Sequence, residues 1–282
     1  MKAPIRPSLI ISTYNNTRLL SACLRSVARQ RMLPYEILIA DDGSGADTRA
    51  LVEAFRQQVP VPVRHIWQED RGFRLSVIRN RAIAASSGNY IIQINGDLVL
   101  NPHFIEDHVR VARRGSFVCG SRAVVPKTAT RIYLKRKRKH IPLYACLWQG
   151  ASYRCVWLQT WLAEHYRPMD PLCLQDGNMA FWRDDLLRVN AYNEDLTLLG
   201  YEARELAVRL MHAGVEQRFL RMGALCFHLD HPIRVRRRQE LSLRARMAEH
   251  EASVVRCSNG VDKYIPSVLY SVISATGAAP LE

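Results

Sequence analysis

Short apolar runs rich in β-branched residues recur through the first hundred residues of the chain, and polar residues close each run. The four runs span residues 8–13, 36–40, 61–66 and 90–94. Apolar segments of this length that do not alternate with polar residues are typical of strands buried on both faces of a parallel sheet. We therefore predict four such strands.

The stretches between these runs carry apolar residues at helical spacing and predict helices. Strands that alternate with helices favour an α/β fold with a mostly parallel, doubly wound central sheet flanked by helices. The predicted helices span residues 19–28, 48–55, 72–86 and 201–213, later strands span 178–182 and 223–228, and a basic helical tail follows residue 232.

Polar residues cluster at the ends of three predicted strands, at residues 12–15, 41–44 and 95–97. In open α/β sheets ligands bind beyond the carboxyl ends of the strands, so these clusters predict one shared site. No GxGxxG follows the first strand, which argues against a dinucleotide-dependent dehydrogenase.

The formal net charge of the chain is +14, and its middle contains a long basic region without acidic residues. Between Asp107 and Glu164 twelve Lys or Arg occur without a single acidic residue. This region also contains several tryptophans, and we predict a basic insertion with an amphipathic helix over residues 123–170. Its densest basic run consists of Lys135, Arg136, Lys137, Arg138 and Lys139.

A basic field of this kind attracts polyanions such as nucleic acid, anionic lipid headgroups or phosphorylated glycans, and a solvated loop is the plainer alternative. No nucleic-acid-binding motif accompanies the run, so we expect no nucleic-acid partner. No apolar stretch approaches the roughly 18 residues that span a bilayer. The seven cysteines form no CxxC pair, which fits a reducing compartment. We expect a cytoplasmic protein with peripheral contact to the anionic inner membrane.

Ten short motifs carry a resemblance to a known family, and they follow one another in that family's order over residues 8–232. The chain resembles the family 2 glycosyltransferases of bacteria that build surface polysaccharide and lipopolysaccharide core, with a galactosyltransferase-like C-terminal half. The motifs are STYN at 12–15, ADDGS at 40–44, RGFRL at 71–75, RNR at 79–81, NGD at 95–97, GNMAFWR at 177–183, YNED at 192–195, GYE at 200–202, ELAVRL at 205–210 and FHLDH at 227–231.

The resemblance implies a GT-A fold, which is Rossmann-like, and a division of the chain into four parts. Residues 1–122 would bind the nucleotide-sugar, and 123–170 would form the insertion. Residues 171–232 would form the acceptor-binding and catalytic half, and 233–282 the C-terminal tail.

The resemblance also implies a nucleotide-sugar-binding set at the strand ends. Ser12 and Tyr14 would line the nucleotide pocket, Asp42 would hydrogen-bond the base, and Arg79 would neutralise the diphosphate or contact the base. A carboxylate can accept the imide N–H of uracil and an aromatic ring can stack on the base, which favours a UDP-sugar donor. Taken alone, the Asp41-Asp42-Gly43 sequence is also a common turn that caps a helix.

Asn95, Gly96 and Asp97 stand where the family carries Asp-x-Asp, a motif that holds a divalent cation against the diphosphate. Mn²⁺ or Mg²⁺ prefers oxygen ligands, so Asp97 is the stronger predicted ligand and the uncharged Asn95 the weaker one. His228 matches a histidine that completes the metal site in galactosyltransferase-like members, and His231 is the second choice.

The largest departure from the family lies at Ala203, where the resemblance implies the aspartate that deprotonates the acceptor hydroxyl. General base catalysis contributes about 10²–10⁴-fold, so we predict Glu202 as the replacement, with Glu205 next and Asp195 after it. We also predict Asn178 and Glu202 to contact the acceptor.

Two further departures, Asp176 and Ala191, lie near the implied acceptor pocket.

Three alternative functions follow from these observations. The first is an inverting, metal-dependent transferase that moves a sugar from UDP to a glycan or lipid-linked glycan. The second is a catalytically impaired nucleotide-sugar-binding protein, motivated by Asn95 and Ala203. The third is a nucleic-acid-binding protein that uses the basic run.

Overall fold

The computed structural model describes residues 4–136, 156–166, 174, 176–196, 201–231 and 254–265 of the chain. The strands in these ranges are β1 Pro7–Thr13, β2 Glu36–Asp41, β3 Val63–Trp67, β4 Tyr90–Asn95, β5 Leu98–Leu100, β6 Ser116–Gly120, β7 Arg122–Val125, β8 Asn178–Trp182, β9 Glu216–Leu220 and β10 Cys226–Leu229. The helices are α1 Thr17–Val27, α2 Ala46–Arg56, α3 Leu75–Ala85, α4 Phe104–Val111, α5 Lys127–Arg136, α6 Val156–His165, α7 Arg183–Arg188 and α8 Glu202–His212, and a 3₁₀ turn covers Val261–Tyr264.

A seven-stranded sheet in the order β3-β2-β1-β4-β8-β6-β9 forms the centre of the described structure. The first four strands are parallel, β8 runs antiparallel to both β4 and β6, and β9 is parallel to β6. A second, three-stranded sheet has the order β5-β10-β7. This architecture confirms the predicted α/β class with its mostly parallel central sheet.

The apolar runs become strands because helices cover both faces of the sheet. Successive strand residues point to opposite faces, so Ile92 packs in the layer of Leu20 and Phe104, whereas Ile91 packs in the layer of Ile78 and Leu206. β1 and β2 are buried throughout and β4 as far as Ile94, which explains their apolar character, whereas the edge strand β3 exposes Arg64 and Trp67.

All four predicted N-terminal strands, the helices that alternate with them, β8, α8 and β10 are confirmed, with ends that differ from the predicted ones by at most three residues. The strands β5, β6, β7 and β9 and the helices α4 and α7 were not predicted, and the described part of the insertion contains two helices, α5 and α6, where one was predicted. Residues 137–155 of the predicted insertion and 232–253 of the predicted tail lie outside the described residues.

Asn178 begins β8 inside the protein, where its amide bonds to groups of the chain itself. Its Nδ2 donates to the carbonyl oxygens of Ser121 at 3.0 Å and Ala224 at 2.8 Å. Its Oδ1 lies 2.9 Å from Nε2 of the buried His108, so this histidine nitrogen must carry the proton. The prediction that Asn178 contacts the acceptor is therefore corrected, because its side chain is fully buried and satisfied.

The helices of the described ranges are all short. None of them is long and apolar enough to cross a lipid bilayer.

The buried His108 predicts a pH-dependent stability. Burial is the main cause that lowers its pKa to about 4, and it outweighs the opposing effects of Asn178 and Asp107. The unfolded chain, with an ordinary histidine pKa of about 6.5, then binds the proton first as the pH falls. The contribution of His108 to the free energy of unfolding is therefore full above about pH 6.5 and decreases by about 3 kcal/mol as the pH falls to about 4.

We expect urea unfolding to show a shallower pH dependence in His108→Gln than in the wild type across this range. His212→Gln, which replaces an exposed histidine at the end of α8, is the matched control and should keep the wild-type dependence. An unchanged dependence in His108→Gln would contradict the assignment of a neutral, buried imidazole.

Candidate functional site

The three predicted polar clusters meet at one edge of the central sheet because the strands that they follow are parallel neighbours. Ser12 of β1 lies in register with Ala40 of β2 on one side and with Asn95 of β4 on the other. The backbone N–H of Gly96 donates to the Ser12 carbonyl at 2.8 Å. The turn after β4 is thus bound directly to the end of β1.

Beyond β1 and β2, an exposed aromatic ring lies close to a buried carboxylate. Tyr14 is 52% exposed, and its hydroxyl donates to Oδ2 of Asp70 at 2.8 Å. Asp42 is buried and accepts from Gln68 Nε2 at 2.6 Å and from the Arg74 backbone N–H at 3.0 Å. Burial raises the pKa of Asp42, and these two hydrogen bonds oppose the rise. The pair offers a stacking surface and an acceptor for an N–H group of a base.

A left-handed glycine lets the loop after β3 approach this pair. Gly43 has φ +97°, and a Cβ on it would lie 2.6 Å from the backbone of Asp70. Nε1 of the half-exposed Trp67 donates to the Ser44 carbonyl at 3.0 Å. Sequence reasoning missed Trp67, Gln68 and Asp70, although their place at the end of β3 and directly after it, at the same sheet edge, was a usable signal.

A buried guanidinium joins the ends of β1 and β4 to the residues before β8 and at the start of α8. Arg79 donates from Nε to Ser12 Oγ at 3.3 Å, from Nη2 to Asn95 Oδ1 at 3.1 Å and from Nη1 to Asp176 Oδ1 at 3.2 Å. Oε1 of Glu202 lies 3.7 Å from Nη1. Because Arg79 has no exposure to solvent, direct contact with a diphosphate would require some of these interactions to open.

The charge of this arginine is strongly stabilised. Burial alone would lower the pKa of Arg79, but Asp176, Tyr192 and Glu202 together raise it. The guanidinium carbon also lies 5.2 Å from the centre of the Tyr192 ring, a cation–π distance. The arginine therefore remains cationic within the protein interior.

Asp97 and two histidines form a cluster with the composition of a metal site. Oδ2 of Asp97 lies 2.9 Å from Nε2 of His231 and 3.3 Å from Nε2 of His228. One ligand atom from each residue falls within 4.8 Å of the others. The small sheet brings them together, since β5 directly follows Asp97 and pairs Leu98 with His228 of β10.

The electrostatics of Asp97 fit a divalent cation. Burial alone would raise the pKa of this carboxyl, but hydrogen bonds with His228 and His231 and their charge hold it well below its usual range. Within the described residues, its buried Oδ1 has no hydrogen-bond partner. A carboxylate with two imidazoles suits Mn²⁺ among other divalent ions, so the residues present fit such an ion.

Asn95 is turned away from this cluster. Its Oδ1 accepts the hydrogen bond from Arg79, and a Cβ on Gly177 would lie 2.9 Å from its Nδ2. The predicted ligand set of Asp97, His228 and Asn95 is therefore corrected: His231 takes the place of Asn95.

Glu202 and Glu205 both lie in the first turn of α8 and were both predicted as possible bases, but they have different partners. Glu202 is buried and contacts Arg79, whereas both oxygens of Glu205 accept from Arg209 at 2.6 Å. Arg209 also donates to the backbone of the turn after α7, so this pair ties α8 to that turn. The predicted catalytic role of Glu205 is corrected to a structural one. Ala203 lies in the apolar core, so a carboxylate at this position would enter the core.

Comparison of the sequence with models of known protein families assigns the chain to a family. The model for glycosyl transferase family 2 matches residues 8–164, more than half of the chain. The chain belongs to glycosyl transferase family 2. A second model, described as the N-terminal domain of galactosyltransferase, matches residues 169–232.

Relatives and solved structures agree with this family. A chondroitin synthase of Escherichia coli is 27% identical over 245 residues, which are 80% of this chain and 35% of that protein. A mannosyltransferase of Pyrobaculum calidifontis, solved with GDP-Man and Mn²⁺, has a TM-score of 0.55 at 16% identity and covers 98% of this chain and 70% of its own. S. aureus TarS residues 1–349 with UDP-GlcNAc has a TM-score of 0.52 at 15% identity, with 81% and 60% covered. These likenesses show the GT-A fold.

Most of the residues predicted for a family 2 glycosyltransferase site lie together in the structure. Asn178 and Glu205 are the two whose side chains are held by structural partners, among them His108 and Arg209. The residues at the carboxyl edge of the sheet, or in contact with it, are Ser12, Tyr14, Asp42, Arg79, Asn95, Gly96, Asp97, Glu202, His228 and His231.

The structural role of Glu205 predicts a loss of stability when it is removed. Glu205→Ala leaves the Arg209 charge buried without its carboxylate, and breaking such a pair costs about 3–5 kcal/mol. Glu53→Ala, which removes an exposed partner of Arg56 on α2, is the control and should cost at most about 1 kcal/mol. Equal, small losses of unfolding free energy in urea would contradict this role.

The cluster at Asp97 predicts metal binding that depends on this carboxylate. Asp97→Asn removes the charged ligand, so we expect Mn²⁺ binding, measured by calorimetry or by electron paramagnetic resonance of the free ion, to be lost. Asp230→Asn removes an exposed carboxylate one residue before His231 and should retain binding. Undiminished Mn²⁺ affinity in Asp97→Asn would remove the assignment.

Proposed function

We propose that this family 2 glycosyltransferase moves a sugar from a UDP-sugar to a glycan or lipid-linked glycan, with inversion at the anomeric carbon and with a divalent cation. The chondroitin synthase relative supports a role in surface polysaccharide or lipopolysaccharide synthesis. The chain spans about a third of that relative's length, so the acceptor and the complete reaction belong to this proposal.

One observation carries the proposal: the carboxylate–imidazole cluster lies at the same strand edge as the nucleotide pocket. Asp97 is two residues from Asn95, and Arg79 binds Asn95 and Ser12 at once. A nucleotide diphosphate bound beyond β1 and β4 would therefore have a cation-binding cluster beside it.

The residues beyond β1 and β2 suit a pyrimidine base. The Tyr14 ring is free to stack, and each oxygen of the Asp42 carboxylate accepts one hydrogen bond within the protein, which leaves lone pairs for the imide N–H of uracil. Solved neighbours have been captured with UDP-GlcNAc and with GDP-Man, so a binding measurement must compare the two nucleotides.

Asp97, His228 and His231 would hold Mn²⁺ or Mg²⁺. When bound, such an ion supplies positive charge that stabilises the departing diphosphate. The chain itself contributes the geometry: Arg79 holds the turn that carries Asp97 against β1, and the β5–β10 pairing holds the two histidines.

The acceptor hydroxyl needs a base, and two carboxylates, Asp176 and Glu202, contact Arg79 beside this turn. The family aspartate position, Ala203, is part of the core, so its alanine leaves no gap in the site. The two carboxylates at Arg79 support the active transferase over a binding protein without turnover.

We also propose that the run from Lys135 to Lys139 contacts anionic membrane lipid. Of this run, the structure describes the side chain of Lys135, which is exposed near the end of α5. Each basic residue near such a surface contributes about 1 kcal/mol.

Calorimetric titration with UDP and GDP, with and without Mn²⁺, tests the proposed donor. We expect tight UDP binding that requires Mn²⁺, and about tenfold to 100-fold weaker binding in Tyr14→Ala because base stacking on an aromatic ring is worth about 1–3 kcal/mol. Tyr35→Ala, which removes another half-exposed tyrosine, should bind as the wild type does. Absence of UDP binding under both conditions would overturn the UDP donor.

A further inference from the structure

The two carboxylates that contact Arg79 differ in their access to solvent. The Asp176 side chain is 21% exposed, whereas the Glu202 side chain is 1% exposed. Their distances to Nη1 of Arg79 are 3.2 Å and 3.7 Å. An acceptor arrives from solvent, and its hydroxyl must come within hydrogen-bond reach of the base. Only Asp176 satisfies this requirement without a rearrangement of the Arg79 cluster.

The backbone places Asp176 close to the turn at residues 95–97, which is here called the donor turn. Asn178 pairs with Ile94 in the antiparallel β8–β4 ladder, and the next residue back, Gly177, abuts Asn95 so closely that a Cβ would lie 2.9 Å from its amide nitrogen. Asp176 follows in the same direction, at the level of the turn that carries Gly96 and Asp97. Its carboxylate is partly exposed to solvent and reaches Arg79, which in turn binds Asn95 at the start of that turn.

We propose that Asp176 is the catalytic base for the acceptor hydroxyl and that Glu202 is a positioning residue that holds Arg79. This rests on the proposed function, since it names a role within the same transfer reaction. Asp176, two residues before β8, thus supplies the carboxylate for the acceptor, which the residues at the start of α8 do not supply.

The acceptor oxygen forms a bond to the anomeric carbon, while the bond from that carbon to the diphosphate oxygen breaks and its electron pair leaves with UDP. The hydroxyl proton passes to a carboxylate oxygen of Asp176. Arg79 donates to Oδ1 of Asp176, and in the described ranges Oδ2 accepts no bond from another residue, so it is the oxygen that takes the proton.

A purely electrostatic role is the competing explanation. Asp176 could serve to balance the Arg79 charge in place of a negative charge at Asn95. In that case its removal would disturb the donor side, through Arg79 and its contacts with Ser12 and Asn95, and would weaken nucleotide binding. A base, in contrast, affects turnover and its pH dependence but leaves UDP affinity intact.

The experiment compares Asp176→Asn, Asp176→Ala and Glu202→Gln with the wild type. UDP affinity in Mn²⁺ is measured by calorimetry, and kcat by UDP release from UDP-GlcNAc, UDP-glucose and UDP-galactose with water or added glycan as acceptor. Asp184→Asn, which removes an exposed carboxylate of α7 that contacts Arg114, is the matched control. We expect Asp176→Asn to lower kcat by about 10²–10⁴-fold with unchanged UDP affinity, and added formate to restore turnover to Asp176→Ala by providing the missing carboxylate.

Glu202→Gln should show a smaller loss of kcat, and formate should not restore it. Near-wild-type kcat in Asp176→Asn, or weakened UDP binding with no formate rescue, would overturn the role of Asp176 while leaving the transferase standing. A wild-type protein that binds no UDP in Mn²⁺, or binds it without any UDP release from the donors, would overturn the proposed function and this inference together.

Discussion

The site depends on the positive charge of the Arg79 guanidinium, which is fully buried. Removing a guanidinium from water costs several kcal/mol, and the cost is offset only when its donors are well paired. Arg79 meets this condition with Ser12, Asn95, Asp176 and Glu202. These partners come from β1, β4, the segment before β8 and the start of α8, so one side chain sets the relative positions of four parts of the chain.

The same interaction explains the neutral residue at the first position of the Asn95-Gly96-Asp97 motif. Two carboxylates already face Arg79, and a third would add negative charge to a buried group that is fully compensated. An amide oxygen provides the hydrogen bond without that charge. The proposed cation would then be held by Asp97, by His228 of β10 and by His231, which is separated from Asp97 by 134 positions in sequence.

Sequence reasoning predicted the parts of the fold whose burial is continuous. Strands β1, β2 and β4 have long apolar runs because both of their faces are covered, and their shared direction correctly brought Ser12, Asp42 and Asp97 to one edge. The three-residue β5 is too short to give a pattern, and β9 combines charged and apolar residues. Both were missed because their pairing depends on partners far away in the chain. The assignments of Asn178 and Glu205 were wrong for a similar reason. The position of a residue in a motif does not reveal that its side chain is hydrogen-bonded to His108 or to Arg209. The proximity of His231 and Asp176 to the donor turn likewise arises only from long-range strand pairing.

The antiparallel β8 has a consequence for any attempt to divide the protein. The two family matches separate the chain between residues 164 and 169, yet β8 lies between β4 and β6 and hydrogen-bonds to both. A fragment cut at that point would keep β4 and β6 but lose the strand that joins them, exposing two sets of unpaired backbone groups that favour aggregation. The halves are therefore separate in sequence motifs but are one unit in folding, and each would need the other present to become soluble.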